Sequence, residues 1–382
     1  MILRGRGLDP AIIGLVLGGG ALAATVVTPT FGHLADVVVG RVPALRLTVV
    51  VAVAAATALL APLPIAVIAI AIASVAALMN LVMGLGDALA VDALHTPGRQ
   101  YGSLRSLTSL SYASAVVAAG FVYNDAGYGA APLVMLAAAG TIFALAGRVP
   151  DPTRDATVRA AVAHQGGEEA AGRFGSISRA LAVEPRLLML LAGLTLGYTG
   201  VMGGVTFVGI RIAELGGRPS DVALTWGISA LTEIPGLMVT GWLVRRVGLP
   251  AMFLVALALH GVLIASWGIL ATPDAINATR LMTGLCFGSL LATRVLAIDK
   301  VLPAELQGTG QTLVTAVTFG LGAVMGSSVG GVVYGLFGPL IFFVFAGGLT
   351  LAGGVGTWLA LRPATVSARP DSLRPQPSGR RP

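Results

Sequence analysis

Charge is what this 382-residue chain has least of: Asp, Glu, Lys and Arg together make up 11% of it, against about 25% in soluble domains. Too little polar surface is encoded to wrap a water-soluble fold of this size. Cysteine is reduced to Cys286 alone, which excludes an internal disulfide and a Cys-based metal cluster and leaves helix packing as its role. No glycine loop closed by lysine is present to cradle phosphates, so ATP drive has no support. HExxH and the aspartate-rich motif of membrane prenyltransferases are missing as well. Gly326-Ser327-Ser328-Val329-Gly330 matches the spacing of a nucleophile elbow, but no strand precedes it and the strand–turn–helix context fails. Asn277-Ala278-Thr279 is a glycosylation sequon by pattern only. These absences argue against an enzyme and call for no cofactor and no metal.

What the chain does have is apolar length. Hydrophobic residues make up 55% of it and the mean hydropathy is +0.88. Apolar runs of 18 residues or more can each cross a bilayer core as a helix. Periodicity is silent inside all-apolar segments, so length and charged punctuation place the spans. They fall at 10–35, 45–62, 64–88, 103–123, 130–148, 187–212, 220–244, 250–270, 275–298, 309–336 and 338–361. The expectation is an all-α, polytopic protein with eleven transmembrane helices, its partner the lipid bilayer. Residues 1–150 make an N-terminal bundle of five helices, and 151–185 a polar linker holding His164-Gln165-Gly166-Gly167-Glu168-Glu169. Residues 186–362 make a six-helix bundle, and 363–382, rich in Pro, Arg and Ser, a disordered tail.

The net charge of +7 reads as topology rather than nucleic-acid binding. Nineteen of the 24 Lys and Arg residues lie on the side of the linker and tail, which places both in the cytoplasm of a cell (plasma or inner) membrane protein. Arg4 and Arg6 dissent, and with Ala21-Leu22-Ala23 they raise a signal-peptide reading. Asp9-Pro10 interrupts that pattern, and the apolar run continues past it to Phe31.

One stretch organises the rest. Residues 228–250 form an apolar helix that carries Glu233 with Pro235 close behind, and ends in Arg245 and Arg246 before Gly248-Leu249-Pro250. A carboxylate at mid-helix in lipid is costly and normally faces a polar interior. A related stretch lies about 209 residues earlier, where Gly32 answers Gly241 and Leu34 answers Leu243. Gly120-Phe121-Val122-Tyr123 with Gly127 matches Gly331-Val332-Val333-Tyr334 with Gly338 at an offset of 211. Two repeated halves, as in many transporters, make these the second, fifth, eighth and eleventh helices of a twelve-helix scheme. The partner of span 187–212 would fall upstream of Met1, so a first helix is expected to be missing from this chain.

With that repeat in hand, the chain resembles the major facilitator superfamily from Gly7 to about Leu361. Gly32, Asp36, Gly40 and Arg41 resemble its cytoplasmic signature loop, with Val37 where an arginine is usual. Gly241, Arg246 and Gly248 form the second copy, with Arg245 in the aspartate position. Tyr101-Gly102-Ser103-Leu104-Arg105 after Asp87, Glu233-Ile234-Pro235, and residues 302–311 are similar to the lactose permease and nucleoside symporter branch. The tryptophan usual after the fifth-helix arginine is absent there.

The resemblance implies two pseudo-symmetric bundles and secondary transport of a small solute by alternating access, coupled to protons, in a monomer. It implies bracing roles for Asp36 and Arg41, and a cytoplasmic gate or brace for Asp87 with Arg105. Glu233 is either the proton-coupling or substrate acid, or half of a structural ion pair with Arg294 or Arg280. Arg294 contacts an anionic solute group, or snorkels, or pairs with Asp299. His260, Asn80 and Tyr198 are cavity candidates for which interhelical hydrogen bonding competes. Gly320, Gly322, Gly326, Gly330, Gly331 and Gly335 would let helices approach and slide. Two other readings stand beside this one: a drug or metabolite exporter, and a truncated membrane protein inactive in transport.

Overall fold

The computed structural model describes residues 2–5, 7–58, 60–61, 63–92, 97–151 and 176–362, without the side chains at 2, 29, 37, 65, 91–92 and 97–106. The expected linker core at 152–175, the tail at 363–382 and the side chain of Arg105 lie outside these residues. Among the described residues there is no strand.

The helices are α1 (Ile2–Gly5), α2 (Pro10–Leu34), α3 (Arg41–Ala58), α4 (Ile65–Asp92), α5 (Pro97–Ala126) and α6 (Ala131–Ala146). A short helical stretch at 176–183 follows. Then come α7 (Arg186–Glu214), α8 (Pro219–Val247), α9 (Leu249–Ser266), α10 (Pro273–Val301), α11 (Ala304–Thr315) and α12 (Gly322–Leu361). π-helical turns at Ala35–Val39 and Ala316–Leu321 interrupt the pattern.

Local chemistry sets the helix starts. Asp9 accepts a hydrogen bond from Ala11 N at 2.8 Å and Thr272 one from Ala275 N at 3.3 Å, each followed by a proline in the first turn. Such caps satisfy amide groups that have no carbonyl partner within the helix.

The turns record the duplication directly. Among the described residues six glycines have positive φ, and they fall into three pairs of similar angle: Gly7 and Gly216 (79° and 81°), Gly40 and Gly248 (92° and 84°), Gly127 and Gly338 (68° and 77°). Side chains avoid this region, so each pair marks one turn of the ancestral half. By the same register α1 is the counterpart of the last turn of α7.

Nine helices among the described residues are long and apolar enough to cross a membrane, against eleven expected spans. Two facts make the difference. α5 mixes Ser, Thr, Asn and Asp into its apolar residues and has a much lower hydrophobicity. The run from Ala304 to Leu361 counts as one helix of 58 residues, although Gly338 breaks its backbone ahead of Pro339 and divides α12 into two arms.

In the N-terminal half α4 packs on α2 and α3, and α3 on α6. In the C-terminal half α7 packs on α12, α8 on α10, and α9 on both α10 and α12. The halves meet along two seams, α2 against the first arm of α12 and α5 against α8. Packing inside the C-terminal half joins Tyr198, Phe207, Phe253, Trp267, Phe342 and Phe343 in one buried cluster. The N-terminal half has a smaller cluster built from Val, Leu and Ala.

Candidate functional site

Both seams are tight at the same end of the molecule. In one, a methyl group on Gly14 would collide with Gly331 and Ser327, and one on Gly18 with Ser328. In the other, Gly120 abuts Ala223 and Ser220, and Gly227 abuts Val117. Asn124 Oδ1 adds a hydrogen bond across it, accepting from Ser220 N at 3.0 Å. Close backbone approach of this kind needs glycine and gains dispersion contacts that lipid tails cannot match.

Towards the other end the contacts lapse. Gly32 of α2 has nothing near it, and Gly241 of α8 meets only Arg245 of its own helix. Val26 of α2, Leu107 of α5 and Met238 of α8 are 63%, 58% and 77% exposed. The halves thus bound a cleft, closed at the end of Pro10, Ala126 and Pro219, and splayed at the end of Leu34, Pro97 and Val247.

Glu233 lies six residues beyond Gly227 on α8, about 9 Å past the closed seam at 1.5 Å per residue. Its backbone is held against α10, because Gly288 leaves room for the Glu233 carbonyl and Gly236 for Leu285. On α10, Arg294 directs Nη1 to Thr318 Oγ1 at 3.4 Å and lies 4.7 Å from the centroid of the Phe319 ring. Tyr198 of α7 packs edge-on to that same ring at 5.7 Å, and Phe287 at 6.3 Å. The Tyr198 hydroxyl is buried without a hydrogen-bond partner among the described residues, within electrostatic reach of both Arg294 and Glu233.

Tyr198 and Arg294, picked from the sequence one by one, therefore meet at Phe319, with Glu233 within electrostatic reach of Tyr198. A cation and a hydroxyl at an aromatic face, with an acid in reach, can take up a proton, donate to carbonyl or hydroxyl oxygens, and pack a flat ring. Sequence reasoning missed Thr318, Phe319 and Phe287. Thr318 and Phe319 owe their place to the π-helical turn, which adds a residue to the helical repeat and rotates the residues beyond it, a distortion frequent at functional sites. Nothing in an apolar, glycine-rich run announces such a turn.

The other candidates lie elsewhere. His260 is 1% exposed inside the C-terminal half, with both ring nitrogens unpartnered among the described residues. Asn80 is exposed and returns its amide to Ala76 O of its own helix at 2.9 Å. Neither adjoins the Phe319 cluster.

In the first signature loop Arg41 Nε donates to Asp36 Oδ1 at 2.6 Å across the π-helical turn. Asp151 Oδ2 accepts from Val42 N at 2.9 Å, tying this loop to the end of the N-terminal half. In the second loop Arg246 stacks on Trp242 of its own helix at 4.6 Å. Asp87 sits near the end of α4, and its expected partner Arg105 belongs to the side chains outside the description. The glycines of α12 do permit close approach, Gly331 to Gly14 across the halves and Gly326 to Gly203 within one.

Known proteins share the fold. The chain is 26% identical over 260 residues to a maltose permease of Geobacillus stearothermophilus, covering 67% of this chain and 62% of that protein. It is 21% identical over 286 residues to the uncharacterised transporter YwbF of Bacillus subtilis, covering 73% and 66%. The matched regions thus span less than two thirds of the first relative and about two thirds of the second. Among solved structures, a mutant form of the nucleoside transporter NupG superposes with a TM-score of 0.77 at 13% identity, over 94% of this chain and 93% of that one. A mutant form of the peptide transporter POT, in complex with alafosfalin, superposes with a TM-score of 0.64 at 17% identity, over 92% and 86%. The model of the MFS_1-like family matches residues 1–345, and the chain accordingly belongs to that family and has the major facilitator fold.

Proposed function

We propose that this protein is a secondary transporter that carries a small polar solute by alternating access, with Glu233 as the proton-coupling acid. The observation that carries the reading is the pair of seams, tight in glycine contacts at one end and lapsing towards the other, with Tyr198 and Arg294 sharing Phe319 and with Glu233 beyond the tight end. Arg41, Arg46, Arg245, Arg246 and Lys300 lie at the splayed end, so by the positive-inside bias that end faces the cytoplasm. The conformation is then the inward-facing one, and rocking about the seams would expose the cluster to the other side. A charged carboxylate is costly at mid-membrane, so half-buried Glu233 can bind and release a proton together with the solute.

Purified protein in liposomes with an imposed pH gradient tests this, with labelled maltose, uridine and dialanine as solutes because the relatives' names suggest them. The wild type should accumulate a solute along the gradient. Glu233→Gln should keep solute exchange at equal pH and lose at least tenfold of the gradient-driven accumulation. Accumulation unchanged in Glu233→Gln would remove Glu233 from the mechanism, and an absence of any exchange would remove the transport reading.

A further inference from the structure

Arg280 is the anomaly that the transport reading leaves unused. It lies on α10 with 2% of its surface exposed. Its Nε donates to Thr225 O at 3.1 Å, and its guanidinium carbon sits 5.3 Å from the centroid of the Trp267 ring. Among the described residues its Nη atoms have no hydrogen-bond partner and no carboxylate lies within ion-pair distance. A guanidinium taken out of water without a counter-charge is costly, and buried cations are normally paired.

Arg211 shows how the same half treats an arginine that has only a structural task. Its Nε and Nη2 reach the carbonyls of Trp267, Gly268 and Leu270 at 3.3–3.4 Å, where the negative end of α9 matches its charge. Arg280 has one carbonyl and an aromatic face. That leaves the outer edge of its fork unused beside the Trp267 ring, and such a fork suits two parallel hydrogen bonds to an anion.

Its position is equally specific. Thr225 lies eight residues nearer the closed end than Glu233 on α8, about 12 Å along the helix. Thr225 and Asn277 are locked together beside it, Thr225 Oγ1 donating to Asn277 Oδ1 at 2.6 Å and Asn277 Nδ2 to Asp221 O at 3.1 Å. From across the cleft Tyr112 of α5, half exposed next to the buried Ala113 of the seam, is within electrostatic reach of Arg280, as is the unpartnered imidazole of His260.

We infer that Arg280, with Tyr112 facing it from the other half, forms an anion-recognition subsite at the closed end of the cleft, so the carried solute bears a carboxylate or phosphate group. This rests on the transport reading and deepens it. Because Tyr112 and Arg280 belong to opposite halves, an anion held between them ties solute binding to the closed seam.

The test measures binding to the full chain in detergent by its thermal shift and tryptophan fluorescence, with solute pairs that differ only in the anionic group. Glucuronate against glucose reports a carboxylate, and uridine monophosphate against uridine a phosphate. At least one anion should bind tenfold or more tightly than its neutral partner. The preference should fall below twofold in Arg280→Gln, return in part in Arg280→Lys, and persist in Arg46→Gln, which removes a charge at the splayed end. Equal affinity for both members of both pairs overturns the inference, as does a preference that survives Arg280→Gln. If Arg280→Gln does not fold, the wild-type pairs and Tyr112→Phe, with a predicted threefold or greater loss of preference, decide it. Glu233-dependent accumulation of a neutral solute, indifferent to Arg280→Lys, would leave the transport reading standing and this one refuted.

Discussion

The two halves descend from one pattern, yet they are held together differently. In the C-terminal half α7 is an axis: 61% of its apolar window is buried, and Gly193, Gly197, Gly200 and Gly203 let it lie against both arms of α12. In the N-terminal half the corresponding windows are 17% buried for α6 and 22% for α4. α5, the counterpart of α11 and the first arm of α12, takes its extensive helix packing from α8 of the other half. The lesson is that a membrane bundle is centred by its small-residue helix. With no hydrophobic drive between helices in lipid, close packing and hydrogen bonds must supply the cohesion.

The largest effect should separate the two halves by one kind of substitution. Gly200→Leu or Gly353→Leu places a side chain into the backbone of the facing helix and should cost about 3 kcal/mol or more, enough to lose the folded protein. Gly84→Leu or Gly140→Leu, where nothing lies within contact distance, should stay within about 0.5 kcal/mol. Thermal unfolding in one detergent compares them, and equal losses would erase the contrast between the halves.

A smaller effect is expected at the seam between halves. Gly14→Leu wedges α2 away from Gly331 without touching either core. Spin labels at positions 125 and 274, both exposed near the closed end, with Cys286 replaced by Ala, should show a longer distance component beside the wild-type one. An unchanged distribution would mean that the seam does not govern closure.

The smallest concerns a polar contact that ties α1 to the C-terminal half. Tyr334 donates to Glu214 Oε2 at 2.6 Å, while Glu214 Oε1 holds Arg4 at 3.3 Å. Tyr334→Phe removes one hydrogen bond to a charged group and should lower stability by about 1–2 kcal/mol. A calorimetric shift larger than that of Gly200→Leu would make this contact, rather than the α7 axis, the mainstay of the C-terminal half.

Much of the architecture was legible from the chain. Apolar length and charged punctuation marked where helices cross, and the paired glycines Gly127 and Gly338 marked a duplication that their shared backbone angles display. The family resemblance pointed to Glu233, Arg294 and Tyr198 as separate candidates. The meeting of Arg294 and Tyr198 at Phe319 was not legible, because every face of an apolar helix reads alike and rotational phase leaves no trace in composition. Arg280 was weighed only as a partner for Glu233, since a sequence does not say which charges meet.

By itself, the sequence determined that this protein lives in lipid, where its backbone must close its own hydrogen bonds, and that its halves are copies. Those follow from the cost of exposing apolar side chains to water and peptide groups to hydrocarbon, which each segment meets alone. Only the tertiary structure decided which end of the seams is tight, which ring the cation and hydroxyl share, and which arginine has no carboxylate beside it among the described residues. Those depend on how helices rotate and cross, and that is settled by contacts between residues far apart in the chain, such as Gly14 with Gly331 packing across the bundle.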